Sequence, residues 1–302
     1  MQPRYSFFLA LLLVCGALVA SAGGQAGRRG TPAGTAADRS ILINVFATRA
    51  DGSERPVTAK EVSLYDGGME QTIQTFTPDP GPARIVLLVD NSLGLRADVE
   101  KLAQATREFA YEIYEGDQVM IVGYDENAEI IADWTDDAKK VEASLPQFRK
   151  RGEPHLFDAL RAVTDQALQP FAGGHRKRVI VLVADGLDRG SKTKFESVLA
   201  DLQRQDITVY ALQLPDRTGG ALRRDKPKPN QVIRQLVEGT GGRILSVNEP
   251  REAAASICDE LRKHRYVLGY TPRSISYHEN RRLLLIAANG IDVRLKATQP
   301  SQ

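Results

Sequence analysis

Arg84-Ile85-Val86-Leu87-Leu88-Val89-Asp90-Asn91-Ser92-Leu93-Gly94 is a short apolar run that ends in a carboxylate, a hydroxyl and a glycine. A run of this length bounded by turn residues predicts a strand buried on both faces, as in the middle of a parallel sheet. Ligands of open α/β sheets sit beyond the carboxyl ends of such strands, where the strand order reverses. Asp90 and Ser92 fall at that place. Arg178-Val179-Ile180-Val181-Leu182-Val183-Ala184-Asp185-Gly186 repeats the pattern and ends in a second carboxylate. If the two strands are neighbours, Asp90 and Asp185 face each other across one crevice.

Around these runs, strands alternate with helices from Ala83 onward. Val99, Leu102, Thr106, Phe109, Ala110 and Ile113 recur at helical spacing, so 97–114 is a predicted amphipathic helix. Further helices are expected over 136–145, 156–168, 194–204, 231–238 and 251–263. A second buried strand is expected over 118–124, a further strand over 207–214 and the last parallel strand over 244–247. The segment 129–134 follows its predecessor after a gap too short for a parallel crossover, so it should pair antiparallel at the sheet edge. The loop Pro215–Pro229 contains Arg223, Arg224, Lys226 and Lys228 and reads as a solvated surface.

The flanks carry a different pattern. Residues 41–47 read as a strand, and 61–65 and 71–76 alternate as two more, before the proline-rich break at Pro78, Pro80 and Pro82. Alternation returns over 266–270, 282–287 and, after an Asn289-Gly290 turn, 291–295. Neither flank could bury a face alone, so they should pair with each other in one small antiparallel β domain. The expected organisation is a signal peptide over 1–22, a flexible linker over 23–40, an N-terminal β segment over 41–80, an α/β domain over 81–265 and a C-terminal β segment over 266–299.

The signal assignment rests on Arg4, the apolar stretch 7–19 and the small residues Ala20-Ser21-Ala22. It predicts an exported protein, periplasmic or secreted, with no stable membrane span once the signal is removed. Of the two cysteines, only Cys258 would remain, so no internal disulfide is expected. Cys258 lies on an apolar helical face and reads as a buried structural thiol. Lys plus Arg number 40 against 38 for Asp plus Glu, a balance that argues against nucleic acid as a partner.

Asp90-Asn91-Ser92 after a buried strand, Leu156-Phe157-Asp158-Ala159-Leu160 opening a helix, and Val183-Ala184-Asp185-Gly186 after a second strand occur in that order. Together they resemble the von Willebrand factor type A domain, over roughly residues 83–265. The flanks resemble a bacterial exported branch of that family, with a Tyr-x-Leu-Gly-Tyr strand, here Tyr266-Val267-Leu268-Gly269-Tyr270. The resemblance implies a doubly wound, mostly parallel sheet with helices on both faces. It also implies a metal-ion-dependent adhesion site for Mg²⁺ or Mn²⁺, built on Asp-x-Ser-x-Ser, a later threonine and an aspartate.

Asp90, Ser92 and Asp185 match that set. Gly94 stands where the second serine belongs, and Pro154 where the threonine belongs. Mg²⁺ demands a near-octahedral shell of oxygens, so a set short of two hydroxyls is expected to bind it weakly or not at all. Asn91 and Glu153 are nearby oxygen donors. The expected function is a non-enzymatic module that binds another protein through Asp90, Asn91, Ser92, Glu153 and Asp185. The alternatives are a structural envelope scaffold without a dedicated ligand, or a hydrolase. No Gly-x-Ser-x-Gly elbow or phosphate loop supports the last of these.

Overall fold

The computed structural model describes residues 40–172, 177–219, 227–273 and 280–300. The expected signal peptide and all of the expected linker but Ser40 lie outside them, as do Arg223, Arg224 and Lys226. The chain opens with β1 (Ile41–Arg49), β2 (Val62–Asp66), β3 (Met69–Gln71) and β4 (Ile73–Pro78). Then come β5 (Ala83–Asp90), α1 (Val99–Glu112), β6 (Gln118–Tyr124), β7 (Ala128–Thr135), α2 (Ala138–Ser144) and α3 (Leu156–Ala162). They are followed by β8 (Lys177–Ala184), α4 (Phe195–Arg204), β9 (Thr208–Gln213), α5 (Pro229–Thr240), β10 (Ile244–Ser246) and α6 (Pro250–Lys263). The chain ends with β11 (Arg265–Tyr270), β12 (Arg281–Ala287), β13 (Ile291–Leu295) and β14 (Thr298–Gln299).

The central sheet has the order β10-β9-β8-β5-β6-β7. All pairs are parallel except β6 with β7, which closes one edge antiparallel. Strand β5 sits in the middle because both of its faces are apolar. Ile85, Leu87 and Val89 join a core with residues of α1, α2 and α6. Val86 and Leu88 join a second core with residues of α3, α4 and α5. The result is an α/β fold with helices on both faces of a mostly parallel sheet.

The flanks form two further sheets, ordered β13-β1-β11-β4 and β14-β12-β2-β3. Ile43, Val45, Leu64, Tyr266, Leu268, Tyr270, Leu283 and Leu285 meet in one core between them. Residues 71–76, read as a single strand, divide at Thr72 into β3 and β4 on different sheets. The corner is held by Gln71, whose Nε2 donates to Met69 O at 2.9 Å and whose Oε1 accepts from Arg273 N at 3.0 Å. The Asn289-Gly290 turn likewise carries the chain from β12 to β13, on opposite sheets, and closes no two-stranded ladder. In the Tyr-x-Leu-Gly-Tyr strand, a Cβ on Gly269 would stand 2.3 Å from Thr75 Oγ1. Only glycine fits where β11 bulges against β4.

The two parts share buried polar contacts. Tyr210 of β9 donates to Glu260 of α6 at 2.7 Å, and Arg294 of β13 binds the same carboxylate. Arg265 joins Asp79 and Asn44. Cys258 is 1% exposed and burial pushes its thiol up, so it is an inert core residue.

Lys177, at the start of β8, is also buried, and burial pulls its ammonium down to about 8. Below that pH lysine is charged in both states, and the native state bears the desolvation penalty. Above it the native protein sheds the proton first, so stability rises with pH until the unfolded chain titrates near about 10.4. Lys177→Met should therefore stabilise the protein by about 1–2 kcal/mol at neutral pH. Its advantage should shrink in urea melts repeated above pH 8.

Candidate functional site

Strands β5 and β8 are neighbours in register, Val89 beside Val183. Asp90 ends the first and Asp185 follows the second, so both carboxylates open into one crevice at the carboxyl edge of the sheet. Strand order reverses at β5, which is where open α/β sheets place their ligands. Both aspartates and Ser92 are 0% exposed.

The crevice is filled from within. Arg217, in the loop after β9, lays its guanidinium between the two carboxylates. Its Nε donates to Asp185 Oδ2 at 2.7 Å and its Nη2 to Asp185 Oδ1 at 3.1 Å, a bidentate fork. The same Nη2 also donates to Asp90 Oδ2. Nη1 donates to Ser92 Oγ at 2.8 Å and to Leu93 O at 3.1 Å. Even the Arg217 amide donates to Asp185 Oδ2, at 3.1 Å.

Local structure completes both anions. Ser92 N and Ser92 Oγ donate to Asp90 Oδ1 at 2.9 and 2.5 Å, and Leu187 N donates to Asp185 Oδ1 at 3.1 Å. The loop that brings Arg217 is pinned at its start by Leu214 N to Ala184 O, 2.9 Å. It is turned by Thr218, whose N and Oγ1 both donate to Asp216 Oδ1.

Two acids and one base leave the cluster with net negative charge. Burial pushes the Asp90 carboxyl above the usual carboxylate range, against the opposing pull of Arg217 and Ser92. Arg217 is held above the ordinary guanidinium value. Burial pulls it down, but the Asp185 hydrogen bonds and the charge of Asp90 outweigh that. Tyr124 pairs with Asp90 across β5 and β6 and is fully buried. Burial, with Asp90 and Asp185 next, pushes its phenol well up. Its hydroxyl and Asn91 Oδ1 have no hydrogen-bond partner among the described residues.

Of the residues expected at the site, Asp90, Ser92 and Asp185 come together through Arg217. Asn91, next in the chain, is buried; its main-chain N–H donates to Tyr124 O and its main-chain carbonyl accepts from Arg151 N. All four are buried, so none of them offers a surface to a partner. Glu153 stands apart on the rim, half exposed and paired with Arg189 at 3.2 Å. Gly94 adopts a positive φ of 77° and Pro154 gives its carbonyl to Arg189 N. Neither adds a side-chain oxygen. Asp158 of the Leu-Phe-Asp-Ala-Leu motif accepts from Lys192 N, Thr193 N and Thr193 Oγ1, and so anchors the next loop.

Residues 85–187 match the family model described as the von Willebrand factor type A domain. That segment, from β5 to the loop after β8, is where the likeness to the type A domain lies. No curated protein matches the chain in sequence. Among solved structures, it is similar to an aerotolerance-related membrane protein of Bacteroides fragilis NCTC 9343 carrying multiple mutations to serine. Identity is 17%, over 60% of this chain and 99% of that one, with a TM-score of 0.46. It is also similar to the conserved hypothetical protein BatB of Bacteroides thetaiotaomicron, at 16% identity over 60% and 98%, TM-score 0.46. Proximal thread matrix protein 1 of the mussel byssus matches at 11% identity over 72% and 50%, TM-score 0.47.

Type A domains can hold Mg²⁺ or Mn²⁺ at the crevice this chain fills with Arg217. The residues present do not fit such an ion. What excludes the ion is Arg217, which engages both oxygens of Asp185 and Oδ2 of Asp90 while Ser92 takes Asp90 Oδ1; Gly94 and Pro154 add no hydroxyl. Arg217 escaped the sequence reading because it sits in a loop whose other basic residues suggested a solvated surface. The signal that points to it is positional: it follows a parallel strand, at the same edge of the sheet as two carboxylates short of partners.

Proposed function

We propose that this protein is an exported, non-enzymatic protein-interaction module, periplasmic or secreted, that works without a divalent metal. The observation that carries this reading is the sealed crevice. The two carboxylates and Ser92 are closed off beneath Arg217, while Leu93 at the lip is 60% exposed. The floor then serves to hold the loops, and the rim meets the partner. Hydrolysis finds no support here. Ser92 Oγ already accepts from Arg217 and donates to Asp90, with no surface open to a substrate. Among the described residues no helix is long and apolar enough to cross a membrane.

The test is charge reversal on the rim. Leu93→Glu combined with Arg189→Glu should leave the melting temperature unchanged. It should weaken capture of the partner from envelope extract by at least about tenfold, the loss of one interfacial anchor. A captured profile identical to that of the parent protein would refute the rim as the binding face. A second reading, a structural envelope scaffold, draws on Leu284 and Ile286, half exposed on β12. It predicts that charges there, and not at Leu93, disrupt assembly.

A further inference from the structure

We propose that Arg217 is a built-in substitute for the divalent cation, so that removing its side chain turns the crevice into a functional Mn²⁺ and Mg²⁺ site. This deepens the metal-free reading given above and rests on it. The guanidinium does what a bound ion would do: it bridges Asp90 and Asp185 and engages Ser92 Oγ, all buried. It neutralises only one of the two carboxylates, whereas a divalent ion would neutralise both. Arginine is suited to the task because its planar fork reaches several oxygens at once and never loses its charge.

The crevice also holds spare oxygen. The buried Tyr124 hydroxyl lies within the field of Asp90 and Asp185 and has no hydrogen-bond partner among the described residues. Truncating Arg217 opens space for a hydrated ion beside the two carboxylates and the Ser92 hydroxyl. Mg²⁺ and Mn²⁺ keep several waters in such sites, so the missing hydroxyls of Gly94 and Pro154 can be replaced by solvent.

The experiment titrates MnCl₂ and MgCl₂ into the full chain by calorimetry, with thermal melts in parallel. The parent protein should show no melting shift with Mn²⁺. Arg217→Ala should bind Mn²⁺ at least about tenfold more tightly than the parent and melt higher with it. Adding Asp90→Asn and Asp185→Asn to Arg217→Ala should abolish the gain. If Arg217→Ala does not fold in chelator, recovery of the fold with Mn²⁺ supports the proposal, and failure to recover overturns it. A folded Arg217→Ala that binds no better than the parent overturns it while leaving the metal-free reading intact. Mn²⁺ bound by the parent protein and lost in the double asparagine variant would sink both.

Discussion

Arg217→Met should lower the stability of the protein by about 3–5 kcal/mol at neutral pH, the usual consequence of removing one partner from a buried ion pair. The side chain is 6% exposed and both aspartates are 0% exposed, so water cannot take over its hydrogen bonds. Methionine fills similar space and supplies no charge, which separates the electrostatic loss from a packing defect. Two facing carboxylates cannot then both stay ionised cheaply, and one pKa must rise further. A carboxyl whose pKa is raised in the native state binds its proton there before it does in the unfolded chain. Stability is then highest below the ordinary carboxylate range and is lost as pH rises through the raised value.

The deficit of Arg217→Met should accordingly shrink in acid, to about half or less near pH 5. The parent protein should show the same slope more weakly, since burial already holds Asp90 above the usual range. Urea denaturation at pH 5 and pH 7.5 measures both. A deficit that is equal at the two pH values would mean that Arg217 acts by packing alone.

How far this site was legible follows from what each residue needs. Strands β5 and β8 could be read because a strand buried on both faces must be apolar at every position. Their carboxylates could be placed because parallel neighbours bring their ends together. Gly94 and Pro154 could be recognised as losses, since a missing hydroxyl is visible in the letters. The gain at Arg217 was not visible in the same way. Composition does not separate it from Arg223 or Arg224 in the same loop. What marks it is the distance it follows strand β9, together with an electrostatic demand: two buried acids with too few partners require a cation. The flanks show the same limit. Period-2 alternation over 71–76 predicts extended chain, which is correct on either side of Thr72. It does not carry the information that the chain changes sheet there, because that is fixed by Gln71 and Arg273, far apart in sequence.

Gly186→Ala should cost about 3 kcal/mol, combining left-handed backbone strain with an overpacked contact. Gly186 has a φ of 86°, and a Cβ there would stand 2.4 Å from Pro229 O and 2.8 Å from Ile233 Cγ1. Both are at the start of α5, whose backbone cannot yield without shifting the helix off β8 and β9. Thus the glycine after Asp185 is not a ligand residue. It lets α5 come close to the strand end, and the loop bearing Arg217 runs between β9 and that helix. Moving α5 must therefore loosen the guanidinium from Asp90 and Asp185 as well. The two losses should overlap, so Gly186→Ala with Arg217→Met should destabilise by at least about 1 kcal/mol less than the sum of the single variants. Urea melts of the four proteins in the cycle give this coupling directly. Strict additivity would show that α5 and the arginine are positioned independently, and that the crevice is closed by the loop's own turn at Asp216 and Thr218.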